Sequence, residues 1–162
     1  MRMSNEKKKD MADSDMYYFF EGKRGREFYL RLKDGVDLLE GIKQFVKDKK
    51  IRIAKIHAAF LGSFQPVKYE FWTPDTRDPK NWHNLSVANF GNINQILGIN
   101  GVVHTRIIEG KEQTVVMIHG ITGGGWDTPT VGGHFREGTI VKGGCGVFIT
   151  ELLGMEGLIN PS

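Results

Sequence analysis

Only one stretch of this sequence, residues 35–49, spaces its apolar residues as an α-helix does. Its apolar positions recur three or four residues apart, with charged residues between them: Val36, Leu38, Leu39, Ile42, Phe45 and Val46. Asp34 stands at the expected N-cap position, and Asp37 follows near the positive end of the helix dipole. Such an amphipathic helix must bury its apolar face. In a chain with a single helix, that face must pack against strands and not against another helix.

Most of the remaining sequence alternates apolar and polar residues with the period of a strand. The clearest case is residues 27–32, and a tight hairpin is predicted at Glu109-Gly110-Lys111. Further strands are predicted at residues 51–60, 67–72, 85–90, 102–108, 113–121, 135–141 and 146–153. One helix and about seven or eight strands indicate an α+β domain in which the helix packs on a largely antiparallel sheet.

The length of 162 residues fits one domain, which we place at residues 16–158. Residues 1–15 are polar and predict a flexible tail, and residues 73–82, with two prolines, predict a loop. No apolar run approaches the roughly 20 residues of a membrane span. Cys145 is the single cysteine, so no intrachain disulfide can form, which suits the cytoplasm. Its apolar neighbours indicate a small buried strand residue.

The formal net charge of +3 is small, but the positive charge is unevenly distributed. Residues 22–55 carry eleven bases and five acids. Lysines at the end of the predicted helix account for much of this excess, because cations are favoured at a helix C-terminus. A solvated helix face therefore competes with a nucleic-acid contact as the explanation.

Lys23, Arg24 and Arg26 flank Gly25 and form the most specific candidate for DNA binding. An Arg-Gly-Arg core is the part of an AT-hook that enters the narrow minor groove of A·T tracts. The flanking prolines of that motif are missing, and Glu27 follows directly. Positive charge at the start of a strand is the alternative interpretation.

Two histidines, His119 and His134, stand at the end of one predicted strand and the start of the next. They could face each other and bind zinc or another divalent metal, but a metal needs further ligands. Asp127 and His104 are the candidates within the chain. The alternative is a pair of strand-end histidines whose hydrogen bonds are satisfied within the protein.

The loop between those histidines contains Gly123, Gly124, Gly125, Trp126 and Asp127. It could close over a small molecule without a metal. It is not a phosphate-binding loop, because it lacks the Gly-Lys and the following helix. Ser63 lacks the second glycine of a nucleophile elbow. A metal-binding protein or metal-dependent enzyme, with a site at His119 and His134 in a subunit crevice, is the alternative to a non-enzymatic binding protein.

Several short segments follow one another in a distinctive order. They are residues 26–32, residues 34–39, Gly62-Ser63, Gly91-Asn92-Ile93, Gly132-Gly133-His134 and Thr150-Glu151-Leu152. This order resembles that of the PPC domain, the plants and prokaryotes conserved domain also called DUF296. The resemblance covers residues 22–155 and is strongest for the stand-alone prokaryotic type. It implies a non-enzymatic α+β domain that forms a homotrimer and associates with double-stranded DNA, in the cytoplasm and at the nucleoid.

The resemblance also bears on the histidines. The PPC pattern often has His-x-His ahead of Gly-Gly-His, which looks like a metal site. In this sequence His119 and His134 match that pattern, but Met117 stands where the first histidine would be. His104 could compensate if the hairpin brings it near His119. Residues 83–88 replace a segment of the plant proteins, so plant-specific partner contacts are not implied.

Overall fold

The computed structural model describes residues 19–74, 82–124 and 129–155. The predicted tail at residues 1–15, most of the predicted loop at residues 73–82, and Gly125, Trp126 and Asp127 lie outside the described residues.

The described residues form eight strands and one helix, in the order β1 (Lys23–Leu32), α1 (Leu38–Asp48), β2 (Ile53–Phe64), β3 (Val67–Pro74), β4 (Trp82–Phe90), β5 (Asn94–Ile108), β6 (Lys111–Gly123), β7 (Val131–Phe135) and β8 (Val141–Leu153). All eight strands belong to one sheet, in the order β1-β8-β2-β5-β6-β7-β3-β4, and each pairing is antiparallel. The predicted α+β class, with one helix and a largely antiparallel sheet, is confirmed.

Helix α1 begins three residues later than the sequence predicts. Asp37 is the N-cap, and its Oδ1 accepts hydrogen bonds from the N–H groups of Leu39 and Glu40 at 2.9 and 3.1 Å. The prediction of Asp34 as N-cap was wrong. Asp34 instead accepts a hydrogen bond from the N–H of Gly143 at 2.6 Å, which ties the turn before the helix to β8.

One face of the sheet packs against α1, and we call it the helix face. The helix buries Leu38, Leu39, Ile42 and Val46 there, and Phe45 meets Phe28 of β1 edge to face at 5.2 Å between ring centroids. The strands contribute buried residues that include Ile56, Val103, Ile118, Val147 and Ile149. Each fully buried aliphatic side chain contributes about 1.5–3 kcal/mol, so this face provides most of the stability of the fold.

The opposite face of the sheet, which we call the outer face, presents several large apolar side chains to solvent. Tyr29 and Phe148 pack against each other at 5.1 Å between ring centroids and remain 52% and 37% exposed. Met117 and Ile121 of β6 are also exposed. Exposed apolar patches of this kind mark interaction surfaces on many proteins.

Local predictions met different outcomes. The hairpin at Glu109-Gly110 is confirmed, and both residues have the positive φ that a two-residue turn requires, 52° and 76°. Cys145 is buried, as expected, and burial raises the pKa of its thiol to about 11.

The prediction of a strand at residues 135–141 was wrong, because β7 ends at Phe135 and a turn follows. No helix in the described ranges has the length and apolar character needed to cross a membrane.

Candidate functional site

The structure brings His119 and His134 together. The two residues are directly paired between β6 and β7, so their side chains project from the same face of the sheet. Their ring centroids are 4.9 Å apart, with the rings nearly perpendicular. The neighbours of His119 at alternate positions, Met117 and Ile121, are exposed, which places the histidine pair on the outer face.

Glu70 of β3 extends this pair into a row and was missed by the sequence analysis. It is directly paired with His134, and it is almost fully buried. Its Oε2 lies 2.6 Å from Nη1 of Arg136, and beyond this ion contact the oxygen accepts no hydrogen bond from the described residues. The pairing of β3 with β7 leaves no local signal in the sequence, so Glu70 could not be assigned to this site from its own segment.

The surroundings of His134 favour its neutral form. Burial lowers the pKa of His134, the adjacent His119 and Arg136 lower it further, and Glu70 opposes them. A neutral imidazole is the form that ligates a metal. Two imidazoles and a carboxylate are also a donor set that zinc and other divalent metals accept.

The geometry of the row is incomplete for a metal centre. No group of three histidine, cysteine, aspartate or glutamate side chains is close enough to hold a metal ion in the part of the chain that the structure describes. The chemistry of the donors fits a metal, but a third ligand would have to come from a rotated Glu70 side chain, from water or from another chain.

The remaining candidate ligands lie apart from this pair or outside the described residues. His104 is opposite Val115, four residues from His119 on the same strand pair, or roughly 13 Å at the rise of a β-strand. Met117 occupies the position expected for a first histidine. In the proposed ligand loop, Gly123 ends β6 and Gly124 follows it, whereas Gly125, Trp126 and Asp127 are outside the described residues.

Gly120 holds the strand beside the histidines close to the core. A Cβ at this position would overlap the ring of Phe135, which stacks on Tyr69 at 4.9 Å between centroids. Only a residue without a side chain permits this approach. The glycine therefore leaves room for the Phe135 ring against β6, on the core side of the strand that carries His119.

The three residues predicted for DNA binding have different surroundings. Arg24 pairs with Glu27, and Arg26 forms a two-pronged ion pair with Glu151 at 2.7 and 2.9 Å and also donates to the carbonyl of Lys49. Lys23 begins β1 and has no acidic partner among the described residues. Two of the three cations thus already have carboxylate partners within the protein.

A second group of cations surrounds the C-terminal end of α1. It consists of Lys47, Lys49, Lys50 and Arg52, and we call it the basic edge. All four residues are exposed. Within the described residues, the one acidic contact of this group is Arg52 with Glu112 at 3.7 Å, and both side chains are more than half exposed. Such an exposed pair is weak, and exposed Asp48 lies in the same segment, but the four cations outnumber these two acids.

Comparison with known proteins gives the family. Residues 19–153 match the Plants and Prokaryotes Conserved (PCC) domain. The chain belongs to the PCC-domain family. No curated protein matches the sequence of this PCC-domain chain significantly.

Three solved structures show how widely the PCC fold is shared. A metal-containing protein from Archaeoglobus fulgidus is 27% identical, with 84% of this chain and 86% of that chain covered and a TM-score of 0.66. A plant- and prokaryote-conserved protein from Pyrococcus horikoshii is 23% identical, with 83% of each chain covered and a TM-score of 0.65. A candidate DNA-binding protein from Bacteroides thetaiotaomicron is 20% identical, with 82% of each chain covered and a TM-score of 0.61.

Proposed function

We propose that this PCC-domain protein is a non-enzymatic DNA-associated protein that assembles as a homotrimer and contacts double-stranded DNA through the basic edge. The observation that carries the proposal is the group of four exposed cations at the end of α1, which has one weak acidic contact among the described residues. The solved relative named as a candidate DNA-binding protein supports the same function.

The electrostatics of the basic edge suit a non-specific contact with phosphates. Each lysine or arginine that neutralises a phosphate releases a condensed counterion, so affinity falls steeply as salt rises. A single patch of four cations binds weakly. Three patches in one assembly raise the effective concentration of each patch at the DNA once one of them is bound.

The outer face supports self-association. Tyr29, Phe148, Met117 and Ile121 expose apolar surface on a sheet face that α1 does not cover. A second copy of the chain carries the same apolar surface and can bury it. We expect light scattering to give the mass of a trimer at micromolar concentration, and a monomer would contradict the proposed assembly.

Binding to DNA is tested by fluorescence anisotropy with a labelled 20-base-pair duplex at 50 and 200 mM salt. We expect measurable binding at the lower salt and a loss of at least tenfold at the higher salt. The double variant Lys47→Gln/Lys50→Gln should bind at least tenfold more weakly. The control Lys33→Gln/Lys68→Gln makes the same change of charge away from the basic edge and should bind like the wild type. No binding at 50 mM salt, or an equal loss in both double variants, would contradict the proposal.

A second candidate function is divalent metal binding by His119 and His134, with Glu70 beside them. It is favoured by the approach of two imidazoles, 4.9 Å apart between ring centroids, next to the buried carboxylate of Glu70, whose Oε2 is held by Arg136 at 2.6 Å. The Archaeoglobus protein, which contains metal, is 27% identical. A divalent metal bound there would supply a Lewis acid on the outer face. The two imidazoles would hold it, and Glu70 would place negative charge beside it.

Metal binding is tested on untagged protein by elemental analysis and by zinc titration. We expect stoichiometric zinc in the wild type and at least a tenfold loss of affinity in His134→Ala, with no change in the control His57→Ala. Met117→His restores the His-x-His pattern and should tighten zinc binding. If the wild type retains no metal and His134→Ala leaves the affinity unchanged, this function is excluded.

A further inference from the structure

A groove of about 520 Å³ lies across β1, β8, β2 and β5. Tyr29 and Arg31 line one side of it and Leu61 and Gln95 line the other, with Lys142 and the glycines of β8 also in the lining. Tyr29 belongs to the outer face, so the groove opens on the side of the sheet away from α1. Its volume lies within the range of small-molecule sites in proteins, roughly 300–1,000 Å³.

The groove exists because two neighbouring strands bulge at the same level. Gly62 of β2 is paired with Cys145 of β8, and the next residue, Ser63, is paired with Lys142. Gly143 and Gly144 are therefore extra residues on β8, and both have positive φ, 73° and 103°. Bulges of this kind are common next to binding and active sites, where they redirect side chains.

Leu61 is a bulged residue on the facing strand. Phe60 is paired with Gly146 and Gly62 with Cys145, which leaves Leu61 without a partner on β8. Its φ is 55°, a left-handed conformation that costs energy for a residue with a side chain, yet the side chain is 76% exposed. Packing does not explain this conformation, and backbone strain of this kind clusters at sites that clamp ligands.

Hydrogen bonds hold the bulge in place. The hydroxyl of Ser63 donates to the carbonyl of Lys142 at 2.8 Å, and the N–H of Gly143 donates to Asp34 at 2.6 Å. The second bond explains why Asp34 stands just before the helix without capping it. The carboxylate of Asp34 is held at the backbone of the bulge, and Asp34 is not among the residues that line the groove.

The charge of the groove is positive. Arg31 and Lys142 both line it, and among the described residues no acidic side chain does. Neither cation forms an ion pair with a described residue. The guanidinium of Arg31 lies beside the bulge, since a Cβ on Gly144 would be 3.7 Å from its Nε and Nη2. Two cations without acidic partners next to glycine backbone suit an anionic group.

We propose that this groove binds a small organic anion, whose phosphate or carboxylate lies between Arg31 and Lys142. The flat apolar body of the ligand lies against Tyr29 and Leu61. The volume admits a molecule up to about the size of a mononucleotide. The proposed site shares no residue with the basic edge or the histidine pair, so its failure leaves the proposed DNA and metal contacts unaffected. It does share Tyr29 with the apolar surface proposed for self-association.

The test is calorimetric titration of the full-length protein with adenosine monophosphate and with phenyl phosphate, and adenosine is the uncharged control. We expect both anions to bind and adenosine to bind at least tenfold more weakly. Arg31→Gln should weaken the binding of both anions at least tenfold, and Lys142→Gln severalfold. Lys33→Gln removes a neighbouring charge outside the groove and should bind both anions like the wild type.

Three results would overturn the proposal. The first is no binding of either anion to the wild type at millimolar concentration. The second is equal binding of adenosine and adenosine monophosphate. The third is an unchanged affinity in Arg31→Gln with a loss in Lys47→Gln/Lys50→Gln, which would place the anion on the basic edge. Circular dichroism of each variant shows whether a loss of binding reflects a loss of fold.

Discussion

The two faces of the sheet differ in what their side chains do. The helix face is filled by aliphatic and aromatic residues that are almost completely buried, such as Ile42, Ile118 and Phe135. The outer face combines exposed apolar residues with the paired histidines, the Glu70–Arg136 ion pair and a groove whose cations have no carboxylate partner among the described residues. One face therefore specifies the fold, and the other carries the groups that can bind something else.

This difference follows from the alternation of strand side chains. Adjacent residues of one strand project from opposite faces, so Ile118 packs in the core while His119 points outward. A substitution at an even-numbered position of β6, such as Ile118, should therefore affect stability. A substitution at an odd-numbered position, such as His119, should affect binding.

The largest expected effect tests whether the helix face determines stability. Ile42→Ala removes a fully buried side chain from α1, and we expect a loss of about 2–5 kcal/mol in the free energy of unfolding, measured by urea denaturation. Ile121→Ala on the outer face, where Ile121 is 48% exposed, is the matched change. It should cost the isolated chain less than about 1 kcal/mol, because its side chain already contacts water. Similar losses in the two variants would contradict the division between the faces.

A smaller effect tests the close approach of β6 to the core. Gly120→Ala introduces a Cβ that overlaps the ring of Phe135, and we expect a loss of about 1–3 kcal/mol in the free energy of unfolding. Gly98→Ala is the control, since a Cβ there meets no atom within 4 Å. Thermal denaturation measures the difference. Equal melting temperatures for the two variants would show that the ring moves aside freely.

The smallest effect concerns pH and the outer face. Burial lowers the pKa of both His104 and His134, and nearby cations lower it further: Arg106 for His104, and Arg136 for His134 together with the His119 ring. The unfolded chain therefore binds protons at a higher pH than the folded chain does. The contribution of these two histidines to the free energy of unfolding is fully present above the unfolded pKa of about 6.5. It decreases as the pH falls from there.

This pH dependence is measured by urea denaturation between pH 7.5 and 5.5. The double variant His104→Gln/His134→Gln should show a flatter profile than the wild type. The carboxyl groups with lowered pKa, Glu27, Glu137 and Glu151, lose their contribution at lower pH and do not affect this window. A wild-type profile that is flat in this range would contradict the prediction.

Features that depend on neighbouring residues were predictable from the sequence. The helix around Ile42 and the hairpin at Glu109-Gly110 are encoded by periodicity and turn residues within a short window. The approximate place of His119 and His134 was also predictable, because a Gly-rich loop joins their strands.

Features that depend on distant parts of the chain were not predictable. Glu70 joins the histidines through the pairing of β3 with β7, and Arg26 is occupied by Glu151, 125 residues later. Asp34 stands just before the helix and therefore looked like its cap. Its actual partner, the N–H of Gly143, lies 109 residues later in the chain. In each case the partner is chosen by the strand order, which no local pattern records.

The position of β8 has a consequence for synthesis of the protein. This strand lies between β1 and β2, which are the first two strands to be translated among the residues that the structure describes. Until β8 has been translated, β1 has no partner in the sheet and β2 has an open edge, both of which can pair with other nascent chains. The domain therefore completes its folding late. A polypeptide whose translation stops before Val141 has the exposed strand edges that chaperones and proteases recognise.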